Sequence, residues 1–163
     1  MGRGRKRKFN PDIPRHIDQS ALPKGVYWAD GRWYIIEPHP EGGFYRQTFR
    51  DSDGEERGNS TAIYYLLEKG QRSHWHKVID AVEIWHHYAG APLSLHLSED
   101  GKRVTTVRLG PGVLDGEQPQ AIVPANWWQA AESLGDFTLV GCTVAPGFVF
   151  DSFVMAEPGW EPG

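Results

Sequence analysis

The stretch Ser73-His-Trp-His-Lys-Val-Ile-Asp-Ala-Val-Glu-Ile-Trp-His-His-Tyr-Ala-Gly90 holds four of the chain's seven histidines, a glutamate and a terminal glycine. Successive side chains of a β-strand point to opposite faces of its sheet. His74 and His76 are therefore expected on one face of a strand, and Glu83 and His87 on one face of the next. If the two strands are neighbours, two imidazoles and a carboxylate converge on one spot.

Two interpretations of this cluster remain open. Imidazole and carboxylate groups are ligands that zinc, iron, manganese or nickel accept, and they also serve as acids and bases. Histidines on half-buried strands are equally known as hydrogen-bonded structural groups, and Glu83 would then be a charge at the rim. Residue types alone do not decide between a functional site and structural polar groups.

The composition indicates one mainly β domain. The chain has 163 residues, of which 39% are apolar and 23% charged, with 19 glycines and 12 prolines. This length supports one core, and such turn-rich composition is typical of many short strands. Two aromatic runs around Asp30-Gly31 predict a hairpin over residues 25–36. Further strands are predicted at Phe44–Arg50, Thr61–Leu67, the two histidine runs, Pro92–Leu97, Arg103–Leu109, Ala121–Pro124, Trp127–Ala131, Phe137–Val144 and Phe148–Ala156.

These strands must close a barrel or stack as two sheets, because open edges would otherwise remain. A jelly roll or small β-barrel is the predicted architecture, with a small ligand in its interior. The loop Glu37-Pro-His-Pro-Glu-Gly-Gly43 is expected to be rigid, because its prolines restrict the preceding residues and its glycines permit positive φ. It either closes the pocket and points His39 or Glu41 inward, or is a plain connector.

The first 24 residues are interpreted as a basic, proline-containing arm, and residues 25–163 as the barrel domain. Five basic residues lie at the start of this arm: Arg3, Arg5, Lys6, Arg7 and Lys8. The rest of the chain has 12 basic and 21 acidic residues. Such a tail is either a solvated terminus or a nuclear-localisation or nucleic-acid-binding patch. The acidic body offers no basic stripe, so nucleic-acid recognition by the domain is not expected.

Cys142 is the single cysteine, so no intrachain disulfide forms, and the residue is interpreted as a small buried group rather than a nucleophile. The chain has no apolar run of membrane-spanning length and no signal-peptide core. A cytoplasmic protein is expected, or a nuclear one if the basic tail is a signal.

Several segments match, in order, the motifs of a known family. They are Pro38-His-Pro-Glu-Gly-Gly-Phe-Tyr-Arg46, Ser60-Thr-Ala-Ile-Tyr-Tyr-Leu66, Ser73-His-Trp-His76, Glu83-Ile-Trp-His86, Gly116-Glu-Gln-Pro-Gln120, Val123-Pro-Ala125 and Val140-Gly-Cys-Thr-Val-Ala-Pro-Gly-Phe148. On these residues the chain resembles the cupin superfamily and, within it, the DUF985 or cupin type 5 subfamily. The resemblance implies an all-β, double-stranded β-helix barrel of the RmlC-like jelly-roll type, usually a homodimer, with a conical pocket at one end.

The first cupin motif fits here in two registers. Glu83 and Gly90 match its end, whereas its histidine pair falls either on His74 and His76 or, counted from Gly70, on His76 and Val78. The second motif keeps its spacing over Pro124-Ala-Asn-Trp-Trp-Gln129, but Gln129 stands where the family has a histidine. A neutral amide is a weaker donor for a transition metal than imidazole, so metal binding is expected to be weak or absent.

Two classes of function follow. One is an isomerase- or epimerase-type enzyme that acts on a small polar metabolite, with His76 and Glu83 as acid and base. A divalent metal (Zn, Fe, Mn or Ni) is optional, held by His74, His76, Glu83 and Gln129. The other is a non-catalytic small-molecule-binding or storage-like protein with a degenerate metal site. In both, the predicted ligand-binding residues are Tyr65, Trp85, His87 and Gln129.

Overall fold

The protein is an all-β structure. The computed structural model describes residues 26–29, 32–35, 37–52 and 57–163. Within these ranges there are two 3-10 turns, Val113–Asp115 and Phe150–Ser152, and no α-helix, and no described helix is long and apolar enough to cross a lipid bilayer. The strands are β1 (Val26–Ala29), β2 (Arg32–Ile35), β3 (Glu37–Pro38), β4 (Phe44–Arg50), β5 (Thr61–Glu68), β6 (Arg72–Val78), β7 (Val82–Gly90), β8 (Leu93–Ser98), β9 (Thr105–Leu109), β10 (Gln120–Val123), β11 (Trp128–Ser133), β12 (Phe137–Ala145) and β13 (Phe153–Met155).

The first two strands form the predicted hairpin. β1 and β2 pair antiparallel, with Val26 opposite Ile35 and Ala29 opposite Arg32. The turn residues Asp30 and Gly31 lie outside the described residues, and so do the basic arm and its predicted boundary at residue 24. The chain divides into two compact units between Glu37 and Pro38.

The second unit is built on two antiparallel sheets. One has the order β10-β7-β12-β5-β4-β3 and the other the order β13-β6-β11-β8-β9. Consecutive strands change sheet at several points, so many neighbours within a sheet, such as β7 and β12 or β6 and β11, are distant in sequence. The two runs of the histidine cluster, β6 and β7, consequently lie in different sheets and meet across the interior rather than side by side.

Side chains from both sheets form the core. Leu93, Leu95 and Leu97 on β8 are buried, and they cluster with Tyr65 and Trp85 from the six-stranded sheet. Burial of a leucine of this kind stabilises the fold by roughly 1.5–3 kcal/mol. The intervening residues of β8 are more exposed than these leucines, except Ser98 at its end, as the alternating pattern predicted.

The predicted strand Phe148–Ala156 is wrong over most of its length. Only Phe153–Met155 is a strand, preceded by the 3-10 turn Phe150–Ser152. The reason is that this segment bonds to loops and side chains instead of a neighbouring strand. The Phe148 N–H donates to Thr61 Oγ1, and the Ser152 hydroxyl donates to Asp80 Oδ2.

The outer face of the six-stranded sheet carries exposed apolar side chains. Tyr64 and Tyr88 are about half exposed and contact each other edge to face, and Ile122 on β10 is more exposed still. Exposed aromatic groups of this kind are common where proteins associate. The homodimer implied by the family resemblance stays a prediction.

Candidate functional site

A cavity of about 580 Å³ lies in the second unit, lined by residues of both sheets. This volume is typical of small-molecule sites. Its polar lining residues include His39, Glu41, Gln47, Arg50, Arg57, His76 and Glu83, and its apolar walls include Tyr45, Ile63, Val78, Val144, Phe148 and Phe153. Carboxylates, imidazoles and guanidinium groups therefore share one cavity with aromatic walls.

His76 on β6 is buried and has a fixed tautomer. Its Nδ1 lies 2.8 Å from the backbone oxygen of His74. Because a carbonyl oxygen only accepts, Nδ1 carries the proton and donates it there. The other ring nitrogen, Nε2, lies 3.0 Å from Oε2 of Glu41. This imidazole is thus held in place through one nitrogen and contacts a carboxyl group through the other.

Glu41 enters the cavity from the loop between β3 and β4. The Ser73 hydroxyl donates to Glu41 Oε1 at 3.0 Å, and the backbone N–H of His74 donates to the Glu41 carbonyl oxygen. Nδ1 of His39 lies 3.5 Å from Glu41 Oε2, and the side chains of both residues are almost completely buried. Of the two alternatives for this loop, the structure therefore has the one that points His39 and Glu41 inward.

Burial changes the proton affinities of this pair in opposite directions. It raises the pKa of Glu41 to about 7, although the neighbouring His39 and Ser73 act in the other direction. It lowers the pKa of His76, an effect that the negative charge of Glu83 partly offsets. A carboxyl that holds its proton and an imidazole that loses it easily can share one proton near neutral pH.

The raised pKa of Glu41 gives the stability a pH dependence. The folded chain binds this proton more tightly than the unfolded chain, so the stabilisation is complete below pH 4.5 and is lost as the pH rises through about 7. Glu41→Gln should remove this dependence. Between pH 5 and pH 8, its free energy of unfolding should rise relative to that of the wild type by roughly 1–3 kcal/mol. Urea unfolding of both proteins across this range measures the difference, and parallel curves would contradict it.

Glu83 on β7 is fixed by a chain of buried hydrogen bonds. The indole N–H of Trp85 donates to Gln129 Oε1 at 2.8 Å, and Gln129 Nε2 donates to Glu83 Oε2 at 2.6 Å. An indole N–H can only donate, so this contact also fixes which end of the amide faces Glu83. Burial raises the pKa of Glu83, while His76 lowers it. Gln129 and Trp85 thus position Glu83 and are not themselves cavity-lining residues.

A β-bulge separates His74 from the cavity. On β11, Gln129 and Ala131 are two positions apart, whereas their partners on β6, His76 and Ser73, are three apart. The extra residue breaks the alternation, so Ser73 and His76 both face Glu41. His74 does not line the cavity, but His76 and Val78 both do. The geometry matches the register of the first motif that is counted from Gly70.

The remaining predicted ligand-binding residues lie in different surroundings. Tyr65 lines the cavity, and its hydroxyl donates to the Gly42 carbonyl oxygen at 2.7 Å. His87 does not line the cavity, and its Nε2 lies 3.2 Å from the Ala91 carbonyl oxygen. Cys142 is buried at the cavity wall, and burial raises the pKa of its thiol, which keeps the thiol protonated.

The predicted metal ligands do not fit a metal centre. His74 does not reach the cavity, and both ends of the Gln129 amide are already used. His76 and Glu83 are left, fewer protein ligands than the three or four of typical zinc sites. Among the described residues, no group of three or more His, Cys, Asp or Glu side chains is arranged to hold a metal ion.

Gly42 stabilises the conformation of the loop that places Glu41 in the cavity. Its φ is +107°, and a Cβ there would lie 2.4 Å from the backbone oxygen of Arg72. We expect Gly42→Ala to lower the free energy of unfolding by about 2–3 kcal/mol. Gly70, with φ of +78° and open space around it, is the matched control and should lose only about 1 kcal/mol. Urea unfolding compares the two, and equal losses would show that overlap with Arg72 is unimportant.

Comparison with known proteins agrees with this architecture. The profile of the cupin superfamily (DUF985) matches residues 33–156. The chain belongs to this family. Protein SO0799 from Shewanella oneidensis is 38% identical over 75% of this chain and 78% of that one, with a TM-score of 0.69. A hypothetical protein from Leishmania major is 29% identical over 77% and 84% of the two chains, with a TM-score of 0.67.

More distant cupins share the fold alone. A mutant oxalate decarboxylase from Bacillus subtilis is 13% identical, with a TM-score of 0.57, over 72% of this chain and 29% of its own. An uncharacterised conserved protein from Klebsiella pneumoniae, described as having a double-stranded β-helix domain, is 17% identical with a TM-score of 0.52, over 75% of this chain and 90% of its own. The predicted jelly-roll cupin fold is confirmed. A search of curated proteins found no match.

Proposed function

We propose that this cupin is an enzyme that isomerises or epimerises a small polar metabolite by moving a proton within it. One observation carries the proposal: the 3.0 Å contact between Glu41 Oε2 and His76 Nε2 in a cavity that Glu83 also lines. Acid and base groups of this kind must lie within hydrogen-bond reach of the reacting atoms and have pKa values near the working pH. The raised pKa of Glu41, about 7, supports such a role.

In the proposed reaction Glu83 is the base, and Glu41 and His76 together are the acid. Glu83, in its carboxylate form, takes a proton from a carbon next to a carbonyl group, and the electron pair of that C–H bond moves into an enolate. The enolate oxygen receives the proton shared by Glu41 and His76. In an α-hydroxy carbonyl substrate, protonated Glu83 gives its proton to the former carbonyl carbon, while the hydroxyl on the first carbon returns a proton to the Glu41–His76 pair and becomes the new carbonyl group, which yields the isomer. For the epimer, a solvent proton is added to the opposite face of the first carbon, the enol hydroxyl returns its proton to the Glu41–His76 pair, and Glu83 releases its proton to solvent. Neither step needs an oxidant or a reductant.

Gln129 and Trp85 act as positioning residues in this scheme. They hold Glu83 through the hydrogen bonds described above, so that the carboxylate has one orientation before the substrate arrives. Fixed orientation of a catalytic group lowers the entropic cost of reaching the transition state. Burial raises the pKa of Glu83 and so strengthens it as a base, although the hydrogen bonds from Gln129 and Cys142 act in the other direction.

A proton-transfer enzyme of this class can be detected without knowledge of its substrate. The protein is incubated with a metabolite extract in deuterium oxide, and mass spectrometry identifies compounds that gain one mass unit at carbon. The proposal expects at least one such compound with the active protein and none with heat-denatured protein. Extracts of several origins that all show no protein-dependent deuterium uptake would reject the proposal.

A second candidate function is binding without chemistry. The aromatic side chains around the cavity favour it, because Tyr45, Phe148 and Phe153 offer flat apolar surfaces that any ring-containing ligand can contact. Native mass spectrometry of the purified protein tests this candidate. A retained small molecule that gains no deuterium in the exchange experiment would favour binding over catalysis.

A further inference from the structure

Arg50 is a charged group of the cavity that has no role in the proposed reaction. It is the last residue of β4 and lines the cavity together with the acid–base residues. Three of its contacts are with neutral acceptors: Nη1 donates to the Arg57 carbonyl oxygen at 2.8 Å, and Nη2 donates to the Phe148 carbonyl oxygen and to Gln47 Oε1. Among the described residues, no carboxylate pairs with this guanidinium.

Arg57, the second arginine of the lining, is different. Its Nη1 and Nη2 donate to the two carboxylate oxygens of Asp80 at 2.7 and 2.8 Å, and its Nε donates to the Gly147 carbonyl oxygen. This bidentate ion pair satisfies most of the guanidinium. Arg57 therefore shapes the cavity rim, whereas Arg50 has two N–H donors that no described residue uses and a charge that no described residue neutralises.

Sheet register places Arg50 and Glu83 three strands apart on the same sheet, so they line one wall of the cavity. Arg50 is opposite Thr61, Thr61 is opposite Val144, and Val144 is opposite Glu83. Three strand spacings of about 4.8 Å separate the two backbones, so they are at most roughly 14 Å apart. Because both side chains extend into the cavity, the remaining gap suits a small molecule with its reacting carbon at one end and a charged group at the other.

A cluster of aromatic rings connects the surroundings of Arg50 with His76. Phe148 contacts Phe150 and Phe153 edge to face, and Phe153 stacks on the His76 ring with centroids 5.3 Å apart. These rings lie next to the carbonyl group of Phe148 that holds Arg50. A planar or ring-shaped middle part of a ligand would contact these surfaces.

We propose that the cavity binds a small ring-containing metabolite that bears a carboxylate or phosphate group, and that Arg50 binds this anionic group while Glu83 faces the reacting carbon. This inference rests on the proposed function and names its substrate class. A guanidinium held by two backbone carbonyl groups is oriented in advance, which suits it to oxyanions. Apart from Glu41 and Glu83, Asp151 is the carboxylate among the described lining residues, and it is exposed and forms no ion pair with Arg50.

The test compares four probes by isothermal titration calorimetry at low ionic strength: phenyl phosphate, benzoate, benzyl alcohol and inorganic phosphate. We expect phenyl phosphate or benzoate to bind at least 10-fold more tightly than benzyl alcohol. The comparison of these two anions shows which anionic group the site prefers. Inorganic phosphate measures the anion without the ring and should bind more weakly than phenyl phosphate. Equal affinity for the neutral and charged ring compounds would overturn the proposal.

Variants assign the effect to Arg50. Arg50→Gln should lower the affinity for the preferred anion at least 10-fold and leave benzyl alcohol unchanged, and Arg50→Lys should give an intermediate value. Arg103→Gln, at an exposed arginine, is the matched control and should bind as the wild type does. An Arg50→Gln variant with wild-type preference for anions would overturn the proposal.

A salt titration keeps the test decisive if Arg50→Gln does not fold. In the wild type, the affinity for the preferred anion should fall several-fold between low and 0.5 M sodium chloride, while that for benzyl alcohol stays constant. Identical salt dependence for both would overturn the proposal. These binding data are independent of turnover. Binding without deuterium exchange would refute only the proposed reaction, and exchange without a preference for anions would refute only this inference.

Discussion

Glu41→Gln is expected to slow protein-dependent deuterium uptake by about 10²–10⁴-fold, the usual contribution of a general acid or base. The glutamine amide can replace the contacts of the protonated carboxyl group, because its N–H donates to His76 Nε2 and its oxygen accepts from Ser73. The fold should therefore survive while the exchangeable acidic proton is lost. The rate is measured by mass spectrometry on whichever compound the wild type labels.

Glu99→Gln is the matched control for this experiment. Glu99 is exposed, and the same substitution there changes the net charge by the same amount without reaching the cavity. We expect its exchange rate to equal that of the wild type. If the Glu41 variant labelled the compound as fast as the Glu99 variant, the contact between Glu41 and His76 would have no catalytic role.

The second large effect is expected on stability, from Gln129→Met. Methionine has nearly the volume of glutamine and can fill its space, but it leaves the Trp85 N–H without an acceptor and the Glu83 carboxylate without its donor. Both groups are buried, so the free energy of unfolding should fall by about 3–5 kcal/mol at pH 8. Urea unfolding followed by tryptophan fluorescence measures the change.

The loss caused by Gln129→Met should be smaller at pH 5. The hydrogen bond from Gln129 lowers the pKa of Glu83, so its removal raises a pKa that burial has already raised. Glu83 in the variant therefore takes up a proton more readily as the pH falls, and protonation removes the uncompensated buried charge. Gln120→Met, at an exposed position of β10, is the control and should cost little at either pH. If Gln129→Met lowered the free energy of unfolding no more than this control, the buried hydrogen bonds from Trp85 through Gln129 to Glu83 would not contribute to stability.

Local sequence patterns predicted most of the strands because their information is short-range. The alternation of leucines over β8 and the turn pair between β1 and β2 are each contained within about ten residues, and the structure has both elements. The Phe148–Ala156 prediction failed for the opposite reason. The conformation of this segment depends on hydrogen bonds to Thr61 and Asp80, which are distant in sequence.

Two bulges explain what the alternation rule missed around the cavity. On β6 the extra residue between Ser73 and His76 separates His74 from His76, which a regular strand would place together. On β4 a register shift lies between Gln47 and Phe49. In a regular strand Gln47 and Arg50 would face opposite sides of the sheet, but with this shift both line the cavity. No residue type in β4 or β6 indicates a bulge, so Arg50 could not be predicted from the sequence as a binding residue.

Glu41 shows a different limit. The prolines and glycines around it predicted a rigid loop, and Gly42 and Gly43 have the positive φ that was expected. The direction of the loop depends on Ser73 and on the backbone of β6, which approach only in the folded chain. For the same reason the sequence pattern predicts His76 and Glu83 as the acid–base pair, whereas in the structure Glu41 is the side chain in direct contact with the imidazole.

The most direct measurement is a ¹³C nuclear magnetic resonance titration of the Glu41 side-chain carboxyl, assigned by comparison with Glu41→Gln. A carboxyl group buried against His76 in the cavity should titrate with a midpoint at about pH 7. A midpoint near the ordinary value of 4.5 would show that Glu41 is in contact with solvent, and it would contradict the proton-sharing pair on which the proposed reaction depends.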